Sequence, residues 1–178
     1  MTERLGFELV AGHLSTLSNA DAGTKHSRYA RSVAETGIST DQARAFLEAY
    51  ASDFQRQDKD AVADRYAYPA HVVTHDGGVA LVTAPSREAW LAVIERILKM
   101  YAAMGVRRAA MLDISVVSVS PQIAQARLTW DLHGEGDKPL YKFAATYTLA
   151  LVNNELKIVQ VISENEQPKF MGVMRERG

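Results

Sequence analysis

The order of apolar and polar positions predicts two helices at the start of a folded domain. In "STDQARAFLEAYASDFQRQD", apolar residues recur every three or four positions, which indicates an amphipathic helix. Ser39 precedes this helix and Gln42 follows three residues later, which is the spacing of a capping box. A second, shorter helix is predicted in "DKDAVADRYA", with Asp58 or Asp60 as its N-cap. Pro69 should end it, because proline lacks the amide hydrogen and disfavours a helical residue before it.

A hairpin and a long helix are predicted next. Short β-branched runs flank Asp76-Gly77-Gly78, and an aspartate-glycine pair supplies the positive φ angles of a tight turn. Ser86 then caps the helix "SREAWLAVIERILKMYAAMG", and Gly105 stands where a left-handed C′ residue belongs. The apolar positions that share one face of this helix are Trp90, Val93, Ile94, Ile97, Leu98 and Tyr101.

The rest of the domain is predicted to form four antiparallel strands. They are "AAMLDISVVSV", "QIAQARLTWDLHG", "LYKFAATYTLALV" and "ELKIVQVISEN", with turns at Ser120-Pro121, in "GEGDKP" and at Asn153-Asn154. Alternation is clear in the two middle strands. One face carries Ala126, Leu128, Trp130, Tyr141, Phe143, Tyr147, Leu149 and Leu151, and the other carries Arg127, Thr129, Asp131, Lys142, Ala144, Thr146, Thr148 and Ala150.

Helices followed by a run of strands imply an α+β fold in which the helices cover the apolar face of one sheet. The other face is small and mixed, so it could be solvated or pack on a second copy in a two-fold dimer. Residues 1–38 read as a partly irregular or helical extension, residues 39–167 as the domain, and residues 168–178 as a tail.

Composition narrows the class of protein. The 178 residues are 47% hydrophobic with a formal net charge of -1, and no basic stripe with interleaved aromatic residues suggests nucleic-acid binding. The absence of cysteine excludes disulfides and cysteine-ligated zinc. No apolar run approaches the roughly 20 residues that span a bilayer, and no secretory signal is recognisable. A cytoplasmic protein without membrane or nucleic-acid partners is therefore expected.

The element order and the run "AYASDFQRQDKDAVADRYAYPAHVVTHDGG" resemble the nuclear transport factor 2-like superfamily. This group is also called SnoaL-like and includes ketosteroid isomerase and small polyketide cyclases. The resemblance covers residues 40 to about 166. It implies a cone-shaped α+β roll of the cystatin-like type, in which a curved antiparallel sheet wraps round a long helix. It also implies an apolar cavity at the open end and, in many members, a homodimer through the outer sheet face.

The resemblance also assigns candidate catalytic positions. The tyrosine that hydrogen-bonds the substrate oxygen in isomerase-like members corresponds to Tyr50. Their general base corresponds to Thr74 or, with a slip of register, to His75 or Asp76. Their second oxygen-binding acid corresponds to Tyr147, a change of residue type. The resemblance therefore does not carry the isomerase reaction over to this chain.

Each catalytic candidate also has a structural interpretation. Tyr50 and Tyr147 could be core tyrosines with satisfied hydroxyls. His75 could be a histidine at the solvent edge or a general base, since its unperturbed pKa of about 6.5 suits proton transfer near neutrality. Asp76 could serve the turn alone. His71 and His75 are separated by four residues but belong to no zinc signature, so no metal is predicted.

Two acidic residues near the expected pocket, Asp53 and Glu164, are interpreted mainly as solvated charges. Asp53 lies one helical step from Tyr50 and could edge the pocket. Glu164 ends the last predicted strand beside Asn165 and Glu166, where a carboxylate at the rim is the alternative.

Two functional hypotheses follow. The first is a protein that binds a small, apolar, oxygen-bearing molecule, with a cofactor-independent proton-transfer enzyme of isomerase, cyclase or dehydratase type as its catalytic form. Its catalytic candidates are Tyr50, His75, Asp76 and Tyr147, and its ligand-binding candidates are Phe54, Tyr66, Thr74, Trp90, Leu128 and Trp130. The second is a non-catalytic domain for ligand binding, dimerisation or protein interaction.

Overall fold

The computed structural model describes residues 37–75, 78–166, 169, 171 and 172. Its helices are α1 (Thr40–Gln55), α2 (Lys59–Asp64) and α3 (Arg87–Ala103), with a short 3-10 turn at Glu135–Asp137. Its strands are β1 (Tyr66–His75), β2 (Val79–Ala84), β3 (Arg108–Ser120), β4 (Ile123–His133), β5 (Pro139–Val152) and β6 (Glu155–Glu164).

The predicted helix caps are confirmed. The Ser39 hydroxyl accepts from the Gln42 amide, and the Gln42 side chain accepts from the Ser39 amide, which completes the capping box. Asp58, and not Asp60, caps α2. Ser86 caps α3, and Gly105 has a φ of 70° just after it. These contacts satisfy backbone groups that a helix end otherwise leaves unpaired.

The predicted end of the second helix was wrong. α2 ends at Asp64, and Tyr66 already pairs with β6, so sheet pairing begins before Pro69. The register of β1 with β6 shifts between Tyr66 and His71, and Pro69 falls inside that irregular stretch. A residue without an amide hydrogen is tolerated where the ladder is interrupted.

The strands form a single sheet in the order β2-β1-β6-β5-β4-β3. The expected antiparallel pairing holds except between β1 and β6, which run parallel. Much of the domain separates β1 from β6 along the chain, and only such a long connection can join parallel neighbours. The C-terminal ends of both strands therefore lie side by side, with His75 opposite Glu164.

Turns and a bulge shape the sheet. Asn153 and Asn154 have φ angles of 52° and 64°, as a two-residue hairpin turn of type I′ requires. In β3, Asp113 has a φ of 51° and the register with β4 shifts between Leu112 and Ser115. Such a bulge bends the strand and increases its twist.

The predicted apolar face of the sheet is buried. We call this the inner face; Trp130 and Tyr147 lie on it and are 4% and 3% exposed. α1 contacts it through Tyr50, whose ring centroid lies 5.9 Å from that of Tyr147. Trp90 on α3 packs edge-on against Tyr66 of β1. The helices and the inner face thus share one core. In the described part of the chain, no helix is long and apolar enough to cross a membrane.

Candidate functional site

A cavity of about 220 Å³ lies between α1, α3 and the inner face. Its exposed lining residues are Gln55, Gln57, Ala102 and Arg107, which mark a mouth at the ends of α1 and α3. Aromatic and aliphatic side chains dominate the rest of the wall. The volume is below the roughly 300–1,000 Å³ of typical drug-sized sites, so the cavity suits a small molecule.

Two tyrosine hydroxyls meet in this cavity. The hydroxyl oxygens of Tyr50 on α1 and Tyr66 on β1 are 2.7 Å apart. One bond between them uses one of their two protons, so the second remains available to an acceptor. Burial raises the pKa of both phenols, so both remain neutral near pH 7.

A second hydroxyl is held by an indole. The Trp130 indole nitrogen donates to the Tyr147 hydroxyl oxygen at 2.8 Å. The proton of Tyr147 itself has no acceptor among the described residues. Burial is also the main reason that the pKa of Tyr147 is raised. Tyr147 is therefore a neutral donor fixed in orientation by Trp130.

Trp90 adds a third donor. Its indole nitrogen is buried and has no hydrogen-bond partner within the described residues. Its ring centroid lies 5.2 Å from that of Tyr66, which in turn contacts Tyr50. The rings of Tyr147, Tyr50, Tyr66 and Trp90 thus form a row. Three of their donor protons have no acceptor among the described residues, one on Tyr147, one on the Tyr50–Tyr66 pair and one on Trp90, and we call these the unspent donors. Buried donors in proteins are nearly always paired, so donors that the described residues leave unpaired are positions for an acceptor oxygen of a ligand or of water.

The cavity also contains a carboxylate. Glu166 accepts a short hydrogen bond from the Tyr101 hydroxyl at Oε1 and another from the Ser163 hydroxyl at Oε2, the second at 3.0 Å. Tyr101 is on α3 and Ser163 on β6, so two elements orient this carboxylate. Burial, and after it the Glu166 charge, raises the pKa of Tyr101. Among the described lining residues, Glu166 is the only acid.

The sequence pattern singled out Glu164, as a rim or solvated charge, and not Glu166. In a continuous strand, Glu164 and Glu166 would point to the same face. Asn165 has a φ of 54°, a left-handed conformation that asparagine tolerates, and it ends the strand. Glu164 therefore pairs with Arg127 on the outer face, whereas Glu166 turns back to the cavity. The asparagine at the strand end was the available signal.

Alternation also separates the candidates at the end of β1. Thr74 lines the cavity opposite Ser163, whereas His75 is exposed and lies opposite Glu164. Asp76 lies outside the described residues. The structure therefore brings Thr74 to the cavity and does not bring His75 there.

The other candidates fall into two groups. Leu128 is 1% exposed but belongs to the core behind the cavity wall, not to its lining. The remaining candidates all line the cavity, and they are Tyr50, Phe54, Tyr66, Trp90, Trp130 and Tyr147. Their contact with a ligand stays a prediction.

Asp53 corrects another expectation. It is 2% exposed and not solvated. Its carboxylate accepts from Arg65 at 2.7 Å and also pairs with Arg56. Arg65 in turn lies over the Phe46 ring. Asp53 does not line the cavity, so these contacts connect α1 to the segment between α2 and β1.

The described residues contain no cluster of three or more His, Cys, Asp or Glu side chains that could hold a metal ion. The polar side chains of the described cavity lining are the phenols and indoles, the Thr74 and Ser163 hydroxyls, the Gln55 and Gln57 amides, Arg107 and the carboxylate of Glu166.

A curved sheet closed over helices, with a cavity between them, is the NTF2-like or cystatin-like architecture. Residues 40–166 match the model of a family described as "NTF2-like protein (DUF6841)", and the chain belongs to that family. No curated protein matches the chain in sequence.

Solved structures agree on the fold. An NTF2-like protein with a cystatin-like fold from Novosphingobium aromaticivorans superposes with a TM-score of 0.58 at 15% identity, covering 86% of this chain and 97% of that one. An NTF-2 like protein of unknown function from Shewanella oneidensis gives 0.55 at 17% identity, covering 70% and 98%. Yeast UBP3-associated protein BRE5 gives 0.54 at 20% identity, covering 71% and 96%. At these identities the likeness concerns the fold alone.

Proposed function

We propose that this protein binds a small, mainly apolar molecule that carries an acceptor oxygen, and that its catalytic form moves a proton on that molecule. The observation that carries the proposal is the surplus of donors in an apolar cavity. Tyr147, the Tyr50–Tyr66 pair and Trp90 each have a proton to give. A carbonyl oxygen accepts such protons without bringing a donor of its own.

These donors suit polarisation of a carbonyl. They are neutral, buried and held by neighbouring rings, so they need little reorganisation when negative charge develops on a bound oxygen. Raised phenol pKa values also keep the protons on the tyrosines at neutral pH. The proposal requires no cofactor.

The binding test uses small cyclic ketones, including cyclopentanone, cyclohexanone and 2-cyclohexenone, with thermal shift and calorimetry as readouts. Tyr147→Phe removes a donor from the cavity and should weaken binding about tenfold, the effect of one lost hydrogen bond. Tyr68→Phe is the matched control, because the Tyr68 hydroxyl donates to the Ala63 carbonyl and does not line the cavity. Equal affinity in the wild type and Tyr147→Phe would contradict the proposal.

A second candidate function is an interaction domain, with a homodimer through the outer face of the sheet. It is supported by exposed apolar side chains on both edge strands. On β2, Val79 and Leu81 are 75% and 64% exposed, and near the C-terminal end of β3, Val117 is 63% exposed. The yeast neighbour is named for an association with another protein. Sedimentation velocity tests it: Thr146→Arg on the outer face should convert a dimer into a monomer, whereas a monomeric wild type would contradict it.

A further inference from the structure

We propose that Glu166, oriented by Tyr101 and Ser163, is the proton acceptor of the cavity, and that its substrate is a small carbonyl compound with a C–H bond next to the carbonyl. This inference rests on the proposed function, because it requires the cavity to bind such a molecule. It names a base at a position that the sequence did not single out as catalytic.

The carboxylate is held at both oxygens. Tyr101 on α3 donates to Oε1, and Ser163 on β6 donates to Oε2 at 3.0 Å. Two donors from two different elements fix the carboxylate in the cavity wall, and a fixed orientation favours proton transfer to a bound substrate.

Other groups in the described lining are poor bases. Arg107, at the exposed mouth, is a cation. The phenols of Tyr50, Tyr66 and Tyr147 have raised pKa values and keep their protons. A general base is most often a carboxyl or an imidazole group, and Glu166 carries the only such group among the described lining residues.

The donors and the carboxylate belong to one electrostatic site. The Glu166 charge contributes, after burial, to the raised pKa values of Tyr101, Tyr141 and Tyr147. Tyr147, whose pKa the Glu166 charge affects, contacts Tyr50 in the row of unspent donors. A bound carbonyl could therefore meet donors at its oxygen and the base at its neighbouring carbon.

The topology brings Glu166 close to the end of β1. At that end of β1, Thr74 lines the cavity and His75 lies outside it. β6 runs parallel to β1, so the C-terminal ends of both strands lie side by side. Glu166, two residues beyond the end of β6, reaches that part of the cavity from the neighbouring strand.

The proposed step conserves atoms and charge. Glu166 takes the proton from the carbon next to the carbonyl, and the C–H electron pair becomes the C=C bond of an enolate. The carbonyl π pair moves to the oxygen, which the phenol and indole donors stabilise. The protonated Glu166 then returns a proton to the same carbon or to a conjugated one, so exchange or isomerisation results without an oxidant or reductant.

The experiment follows hydrogen–deuterium exchange by NMR at the α-carbon of the ketones named above, dissolved with the protein in D₂O. Wild type should accelerate exchange over buffer. Glu166→Gln should reduce this acceleration by at least about 100-fold, the contribution typical of a general base. The dissociation constant of the ketone should stay within about threefold of the wild-type value, because Glu166 is proposed to act in proton transfer and not in ketone binding.

Glu164→Gln is the matched control. Glu164 is two residues away, pairs with Arg127 on the outer face and does not line the cavity, so its substitution should not change exchange. If Glu166→Gln does not fold, Ser163→Ala and Tyr101→Phe serve instead. Each removes a hydrogen bond to the charged carboxylate, so the rising limb of the pH–rate profile should move to higher pH.

The outcomes separate the two proposals. Binding without exchange above buffer, or exchange in Glu166→Gln within about threefold of wild type, overturns the assignment of Glu166 and leaves the binding function standing. If the rising limb of the pH–rate profile lies at the wild-type pH in both Ser163→Ala and Tyr101→Phe, the assignment of Glu166 is overturned as well. Failure of every ketone to bind overturns the proposed function and this inference together.

Discussion

The two faces of the sheet bury polar groups by different means. On the outer face, Asp131 is 8% exposed and lies between the Lys142 ammonium group at 2.9 Å and the His133 ring at 3.2 Å. Arg127 and Glu164 form another outer pair at 3.2 Å. These groups are neutralised by partners within the chain, as structural ion pairs are.

On the inner face, the polar groups are mostly neutral and have protons to spare. Tyr147 accepts from Trp130 and keeps its own proton, and Trp90 has no described partner. The lesson is that burial alone does not distinguish a structural polar group from a functional one. The distinction lies in the partners, because the outer carboxylates pair with cationic side chains of the chain, whereas the phenol and indole donors of the inner face keep protons that no described residue accepts.

The largest expected difference between the faces is in packing. Trp130→Ala on the inner face should lower the free energy of unfolding by about 3–5 kcal/mol, because it removes a buried aromatic ring. Arg127→Ala, on the outer face of the same strand, should cost less than about 1 kcal/mol, since its ion pair is exposed. Urea denaturation measures both, and losses of equal size would contradict the assignment of the faces.

Breaking the neutral pair should cost less and should not depend on pH near neutrality. Tyr50→Phe leaves the Tyr66 hydroxyl without its partner and should cost about 1 kcal/mol. The pKa values of both phenols are raised in the folded state, so their contribution is full below the unfolded value of about 10 and is lost as pH rises above it. Denaturation at pH 6 and pH 9 should give the same loss; a larger loss at pH 6 would contradict this.

The ionic cluster should behave in the opposite way. Burial alone would raise the pKa of Asp131, but hydrogen bonds from Lys142 and His133 outweigh it and the pKa is lowered. Its contribution is therefore present above the unfolded value of about 3.9 and is lost as pH falls below it. Lys142→Met should cost about 0.5–1 kcal/mol at pH 7, and that difference should shrink at pH 3. A difference that is equal at both pH values would argue against an ionic role.

Local sequence rules predicted much of this fold. The caps at Ser39 and Ser86, the left-handed Gly105 and the asparagine turn all depend on residues within a few positions of each other. Alternation predicted the buried side of β4 and β5, including Trp130, because a strand has only two faces.

The departures arise where distant strands decide the outcome. The parallel pairing of β1 with β6 determines that the strand begins at Tyr66 and runs through Pro69, and no local pattern carries that information. The left-handed Asn165 reverses the direction in which Glu166 points, and alternation cannot anticipate a strand that stops. His75 was a reasonable base by residue type, but its position in the register puts it on the outer face.

The central claim is that unspent donors in the cavity await an acceptor oxygen, and the two tryptophans allow it to be tested directly. In a ¹⁵N-labelled protein, each indole gives one N–H signal, and Trp90→Phe assigns them. The claim predicts that titration with 2-cyclohexenone moves the Trp90 signal saturably, and further than the signal of Trp130, whose proton is already bonded to Tyr147. Indole signals that both stay in place at saturating ketone would contradict it.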